Sequence, residues 1–303
     1  MQGSIEQSST VTIGAGYVAG MGRRRRWQML RVLVRNRASL AGLMIIVLMI
    51  ILGLAASWLA PYVPSQTHIR DKVQAPNSTY WLGTDQFGRD ILSRLLYGTR
   101  ISLTLSITGV ALATITGTVI GSIAGFGQRW VDEVLMRIMD VLMAFPYIVL
   151  AIALIAVVGP SLQNIVLVVA FTRVPQFARL SRASVLSLKQ AEYVVAARAI
   201  GLPDWRILFR HIMPNIVTPI VVLGSLSMAT AILTESSLSF LGLGVQPPTA
   251  SWGTMIGDGR NYVGDGFWIS TVPGIAISLT ILGFNLLGDG LRDALDPRLR
   301  TRA

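Results

Sequence analysis

The chain has 303 residues, 52% of them hydrophobic and only 14% charged, with a formal net charge of +11 and no cysteine, and its mean hydropathy is +0.59. That balance excludes an ordinary soluble domain and reads as an integral membrane protein. The missing cysteines exclude disulfides, thiolate metal sites and cysteine nucleophiles.

Residues 1–20, rich in Gly, Ser and Thr, read as a disordered tail. Arg23 to Arg37 then places Trp27, Leu30 and Val34 at helical spacing among arginines, a pattern suited to a helix lying at a membrane interface. No cleavable signal is expected, because the basic cluster precedes a stretch of full membrane length. A hydrocarbon core about 30 Å thick requires roughly 20 apolar residues per helix. Leu40 to Ala60 meets that requirement, as do Ile101 to Gln128, Val141 to Val158, Ile216 to Thr234 and Gly266 to Gly288. Leu162 to Leu180 is counted as a sixth span despite Arg173 and Pro175 within it.

With six crossings and an internal N-terminus, the arginines concentrate on the cytoplasmic side, as the positive-inside rule requires. Arg173 is then explained by snorkelling to the cytoplasmic interface. The basic residues border apolar spans and form no stripe with interleaved aromatics, so anionic lipid, not nucleic acid, is the expected partner. His68 and His211 fall on opposite sides in this topology, which leaves no histidine metal site within one chain.

The prolines at 61, 64 and 76 mark an external connector. It leads to WLGTDQFGRDILSRLLYGTRISL, Trp81 to Leu103, read as an external amphipathic helix capped by Thr84 or Asp85. Asp85 with Arg89 and Asp90 with Arg94 stand at the spacing of i,i+4 pairs, which accounts for these charges without a substrate cluster. Gly117, Gly121 and Gly125 recur every fourth residue, the spacing that lets helix backbones approach closely in lipid; packing within the chain is the default expectation.

Glu235 lies in the fifth span. A carboxylate there is either a candidate for the translocation path or a hydrogen-bonded structural group. Residues 242–266 are too rich in Gly and Pro for one continuous helix. They read as a partly re-entrant external loop, with Trp252 and Tyr262 at the interfacial belt and Asp258, Arg260 and Asp265 at the water side. Asp258 and Arg260 join Glu235 as candidates for the path or its gate.

The longest water-facing segment interrupts the spans from Glu192 to Asn215, EYVVAARAIGLPDWRILFRHIMPN. Gly201 can cap one helix in the left-handed region, Pro203 can open a second, and Asp204 suits that helix's N-terminal dipole. Trp205, Leu208, Phe209 and Ile212 follow an i, i+3, i+4, i+7 stripe with Arg206 and Arg210 off it. Neither lysine, Lys72 or Lys189, stands in a phosphate-binding GxxxxGK[ST] loop. ATP-driven work would therefore need a separate ATP-binding subunit.

AARAIG at 196–201 followed by the proline at 214 resembles the coupling-loop motif of ABC importer permeases. LGTDQFGRD at 82–90, RHIMPN at 210–215, SFLGLGVQPP at 239–248 and FNLLGDGLRDALDPR at 284–298 resemble the C-type permeases of the dipeptide, oligopeptide and nickel importer group. The resemblance covers residues from about Arg35 to Arg298. It implies an all-α membrane fold of six transmembrane helices, the type I importer permease fold, in the bacterial inner membrane with both termini cytoplasmic. The organisation it implies is residues 1–37 as tail and interfacial helix, 38–95 as first span and connector, 96–296 as a five-helix core holding coupling loop 190–214, and 297–303 as a cytoplasmic tail.

The implied partners are a B-type permease subunit, two ABC ATPase subunits carrying ATP and Mg, an extracytoplasmic substrate-binding protein and membrane lipids. The chain itself binds no cofactor and is not an enzyme. ATPase coupling falls on Glu192, Ala196, Ala197, Gly201, Pro203, Asp204, Trp205, Arg206, Arg210 and Pro214. Val195 and His211 depart from the general motif's Glu and Ile, leaving Glu192 as the nearest carboxylate. The alternative function is a self-sufficient channel or proton-coupled carrier titrating at Glu235. An embedded enzyme is a poor third reading, because the sequence offers no convergent His, Cys or paired-carboxylate constellation.

Overall fold

The computed structural model describes residues 36–295. The interfacial helix expected around Trp27 to Val34 and the tails at 1–35 and 297–303 lie outside them. The described residues are mostly α-helical and hold no named strand, with a single isolated bridge between Thr84 and Asp90 among them. We number the helices α1 (Arg37–Leu54), α2 (Ile91–Phe126), α3 (Arg129–Met143), α4 (Tyr147–Val158), α5 (Leu162–Lys189), α6 (Glu192–Ala199), α7 (Asp204–Ile207), α8 (Met213–Phe240), α9 (Trp252–Gly259) and α10 (Trp268–Leu295). Four segments are long and apolar enough to cross a membrane: α1, α2, the run Asp204–Phe240 and α10. A fifth is possible if the bent pair α3 and α4 is one broken span.

α1 is capped by Asn36, whose side chain accepts from the backbone N–H groups of Ala38 and Ser39. It packs on α10 through Gly42, where a Cβ would come within 2.8 Å of the Leu286 Cβ. Its other face exposes Met44, Val47, Leu48, Ile51 and Leu54, as a lipid-facing surface does.

The separate amphipathic helix expected from Trp81 to Leu103 does not exist. Residues 83–90 form a tight loop, and the helix starts at Ile91 and runs unbroken for 36 residues, about 54 Å. Asp90 provides its cap, accepting from the Ser93 N–H at 2.8 Å and the Ser93 hydroxyl at 2.6 Å. Thr84 and Asp85 do not cap the helix: the Thr84 hydroxyl accepts from the Gln74 N–H and donates to the Asp71 carbonyl, and the Asp85 carboxylate accepts from the Phe87 N–H within the loop.

The uncharged run from Val141 to Val158 is not one helix either. It straddles a break at residues 144–146, where α3 and α4 meet at 92°. Pro146 has no N–H to continue the ladder and disfavours the α region at Phe145. Two ion pairs fix α3 against α5: Arg182 clamps Asp132 bidentately at 2.5 and 2.6 Å, and Arg179 reaches Asp140 at 2.5 Å. Planar two-point pairing of this kind sets orientation as well as contact.

α5 continues through Arg173 and Pro175 for 28 residues and lies along α2. The glycine spacing of α2 makes that approach possible. A Cβ on Gly117 would sit 2.5 Å from the Phe177 Cβ, one on Gly125 would sit 2.9 Å from the Arg182 carbonyl oxygen, and one on Gly121 would collide with the Ala178 carbonyl. The stripe therefore serves packing within the chain. Arg173 does not snorkel. It is 5% exposed, its Nη2 donates to Thr234 Oγ1 at 3.1 Å, and its guanidinium lies 5.7 Å from the Tyr147 ring centre, because a helix this long carries residue 173 into the bundle.

Candidate functional site

Chemistry-bearing side chains gather at the two ends of α2. At its C-terminal end, Lys189 donates to the Phe126 carbonyl at 3.2 Å and brings in the 190–214 segment. α6 buries Val194 and Ala197 in the main apolar core, and the following turn buries Ile207 and Ile212 in the same core. Gly201 takes φ +80°, the left-handed conformation that glycine adopts without steric cost, and its N–H bonds the Arg198 carbonyl at 3.0 Å. Pro203 is the N-cap of α7, and Asp204 occupies the first turn. Arg198 reaches across to Asp204 at 3.7 Å, an exposed pair worth little by itself.

The apolar stripe expected on the second helix is divided: Leu208 and Ile212 pack on the core, while Trp205 and Phe209 do not. Residues 208–212 form a π-helical turn, whose extra residue per turn shifts the register. Trp205, in the α-helical turn before it, and Phe209 are 61% and 64% exposed, while Ile207 and Ile212 are fully buried. Glu192, Ala196, Arg206, Arg210 and Pro214 are exposed too, and Arg206 lies over the Trp205 ring at 5.3 Å. The result is a helical hairpin anchored from beneath, presenting Val195, Ile200, Trp205 and Phe209 outward. Clustered exposed apolar groups of this kind mark a contact surface.

At the N-terminal end of α2, Gly83 and Gly88 adopt φ +79° and +73°, folding residues 83–90 back on themselves. The Asp85 carboxylate accepts from the N–H groups of Phe87 at 2.8 Å and Arg89 at 3.0 Å. Its other oxygen meets Arg89 Nε at 2.5 Å and Arg94 Nε at 3.5 Å. The expected pairing of Asp90 with Arg94 does not form: Asp90 caps the helix through Oδ2 and Arg94 turns instead to Asp85 and Asp258. Arg94 joins Arg89 on Asp258 of α9, at 3.2 and 2.9 Å. The sequence paired Asp85 with Arg89, which forms, but gave no signal for the contact of Arg94 with Asp85 or for the link of both arginines to Asp258, 164 or more residues away.

Tyr80 supports this loop from below, donating to Asp71 at 2.9 Å. Burial, and then the hydrogen bond to Asp71, push its phenol up to about 12. Trp268 at the start of α10 donates to the Thr84 carbonyl at 3.2 Å.

Glu235 is fully buried in α8. It accepts from the Ser239 hydroxyl at 2.9 Å and from that of Ser236 at 3.4 Å. Ser251, which caps α9 in a capping box with Thr254, donates to Ser239 at 3.4 Å. The N–H of Trp252 donates to Ser102 of α2 at 3.3 Å. Glu235 thus sits in a hydroxyl network joining α2, α8 and α9. Trp252 is fully buried instead of lying in an interfacial belt, because α9 turns inward against α8: a Cβ on Gly253 would lie 2.5 Å from the Ser236 carbonyl. Asp258, Arg260, Phe240 and Gln246 line a cleft of about 660 Å³ beside it, which also reaches Arg89 and Arg94.

Residues 117–301 match the family described as binding-protein-dependent transport system inner membrane component. The chain belongs to that family. Residues 25–76 also match the N-terminal transmembrane domain of oligopeptide transport permease C. Among curated relatives, the dipeptide transport system permease protein DppC of Alkalihalophilus pseudofirmus is 44% identical over 269 residues, covering 89% of this chain and 88% of that one. The glutathione transport system permease protein GsiD of Pectobacterium atrosepticum is 46% identical over 269 residues, covering 88% and 89%. The fold is similar to that of the MetNI methionine ABC transporter in an inward-facing conformation, with a TM-score of 0.56 at 16% identity over 67% of this chain and 97% of that chain. The chain is therefore a multi-pass inner-membrane permease subunit of an ABC importer.

Proposed function

We propose that this permease forms half of a heterodimeric translocation pathway for peptides or a related small solute, paired with a B-type permease subunit. An extracytoplasmic binding protein delivers the solute, and two ABC ATPase subunits carrying ATP and Mg drive alternating access. The chain is a non-catalytic subunit, and it binds no cofactor of its own. Dipeptide and glutathione permeases among its relatives support the solute class. α5, about 42 Å long at 28 residues, supplies the sixth crossing, with Arg173 directed into protein instead of lipid, and both termini are cytoplasmic.

The single observation that carries the coupling role is the anchored hairpin at 190–214. Val194, Ala197, Ile207 and Ile212 fasten it to the core while Ala196, Trp205 and Phe209 face outward. An element rooted in this way transmits displacement as a rigid body. Glu192 stands at its outer surface, where a partner subunit can meet it. The test is Ala196→Arg, at an exposed position on the slim face of α6. In proteoliposomes containing the complete assembly, insertion and basal ATP hydrolysis should persist while ATP-dependent uptake falls at least tenfold. Uptake equal to that of the unsubstituted protein would remove the hairpin from the coupling path. The self-sufficient carrier is disfavoured because Glu235 is enclosed by serines within the subunit.

A further inference from the structure

The cleft beside α9 has the chemistry of a solute site. Its volume of about 660 Å³ falls within the range of small-molecule clefts, roughly 300–1,000 Å³. Three guanidiniums, those of Arg89, Arg94 and Arg260, line the cleft together with one carboxylate, Asp258, which Arg89 and Arg94 contact. Arg89 and Arg94 are held by Asp85 and Asp258, so their positions are fixed before anything binds. Arg94 Nη1 is buried with no hydrogen-bond partner among the described residues, and an orphaned charged donor is costly unless something satisfies it. Arg260 on the lip is exposed and makes no ion pair among the described residues. Phe240, Pro247 and Pro248 wall the cleft and reduce the solvent screening of its charges.

We propose that this cleft binds a zwitterionic solute carrying a free carboxylate, of the size of a short peptide. The Arg260 guanidinium, the one cation of the cleft without an ion pair among the described residues, anchors the carboxylate beside the charge-balanced cluster of Arg89 and Arg94 with Asp85 and Asp258. Asp258 remains about one-third exposed at its side chain and receives the solute's ammonium group. The same carboxylate disfavours a dianion such as phosphate, which would meet Asp258 with twice the charge. The proposal rests on the reading of the chain as a solute permease and adds to it a recognition step within the membrane subunit, beyond selection by the binding protein.

The experiment uses the full chain with its partner permease in nanodiscs, and saturation-transfer NMR with alanyl-alanine, alanyl-alaninamide and inorganic phosphate as probes. Alanyl-alanine should receive saturation, and the amide should bind at least about tenfold more weakly, the loss expected for one charge-assisted contact. Arg260→Gln should weaken alanyl-alanine about tenfold and leave the amide unchanged, while Arg260→Lys keeps affinity within about threefold. Because Arg260 is exposed, neither variant threatens the fold.

Equal binding of dipeptide and amide, competition by phosphate, indifference to Arg260→Gln, or no binding of alanyl-alanine would each overturn the proposal. So would an Arg260→Gln variant that binds the dipeptide normally but loses docking of the binding protein, since the cleft would then belong to a protein partner. Uptake by the complete assembly is measured in parallel. Uptake that stays ATP-dependent while the cleft fails these tests leaves the importer reading standing; uptake without functional ATPase subunits sinks that reading itself.

Discussion

Replacing Gly121 by alanine tests whether the α2–α5 contact is set by backbone proximity. The new Cβ would overlap the Ala178 carbonyl oxygen and lie 2.8 Å from the Ser181 Cβ and 2.9 Å from the Ala178 carbonyl carbon. Two of these atoms are backbone, so no rotamer change relieves the clash, and the helices must separate along a face that also holds Gly117 and Gly125. Overpacking of this kind costs about 1–3 kcal/mol. The gain from replacing a helical glycine with alanine, about 1 kcal/mol, opposes it. Gly224→Ala in α8 isolates that gain, because its Cβ would meet nothing nearer than Thr114 Oγ1 at 4.0 Å. The difference between the two variants should therefore be about 1–3 kcal/mol in favour of Gly224→Ala. Reversible unfolding of the purified permease in mixed detergent and SDS micelles, followed by tryptophan fluorescence, measures it. A Gly121→Ala protein as stable as Gly224→Ala would refute the claim that the stripe fixes the interhelical distance.

The other expectations follow from polar contacts. Glu235→Leu strips Ser236 and Ser239 of their acceptor and should cost about 1–3 kcal/mol in the same unfolding assay, while Glu235→Gln, which keeps an acceptor oxygen, should cost under about 1 kcal/mol and leave ATP-dependent uptake intact. Loss of uptake in the stable Gln variant would place Glu235 in the transport path. Asp258→Ala leaves Arg89 and Arg94 sharing Asp85 alone and should destabilise by about 2 kcal/mol, less than a fully buried pair because Asp258 is partly exposed; unchanged stability would show that the cluster does not hold α9. Tyr80 should titrate near pH 12 by tyrosinate absorbance. Because its folded pKa is raised above the ordinary 10.0, its contribution is complete below pH 10 and declines as pH rises from about 10 to 12. Asp71→Asn should bring the titration back toward pH 10, and an unmoved midpoint would refute the hydrogen bond as a cause.

Much of this molecule is legible in its amino-acid order because membrane insertion reads local properties. Apolar run length marked α1, α2, α8 and α10, and turn chemistry put Gly201 at a left-handed cap. The same local logic failed where neighbours decide. Pro146 splits an uncharged run whose composition promised one span. Trp205 and Phe209 face outward although their spacing set them on one stripe with Leu208 and Ile212, which pack on the core. Arg173 points inward because α5 is longer than its apolar portion.

The chemistry of a membrane permease and its family could thus be read from hydropathy, small-residue spacing and motifs, each a property of a few neighbouring residues. Only the tertiary structure could join Arg89 and Arg94 to Asp258, enclose Glu235 among serines from three helices and open a cleft beside Arg260. Those arrangements depend on distances between segments far apart in the chain, and no local periodicity encodes which carboxylate a guanidinium will meet.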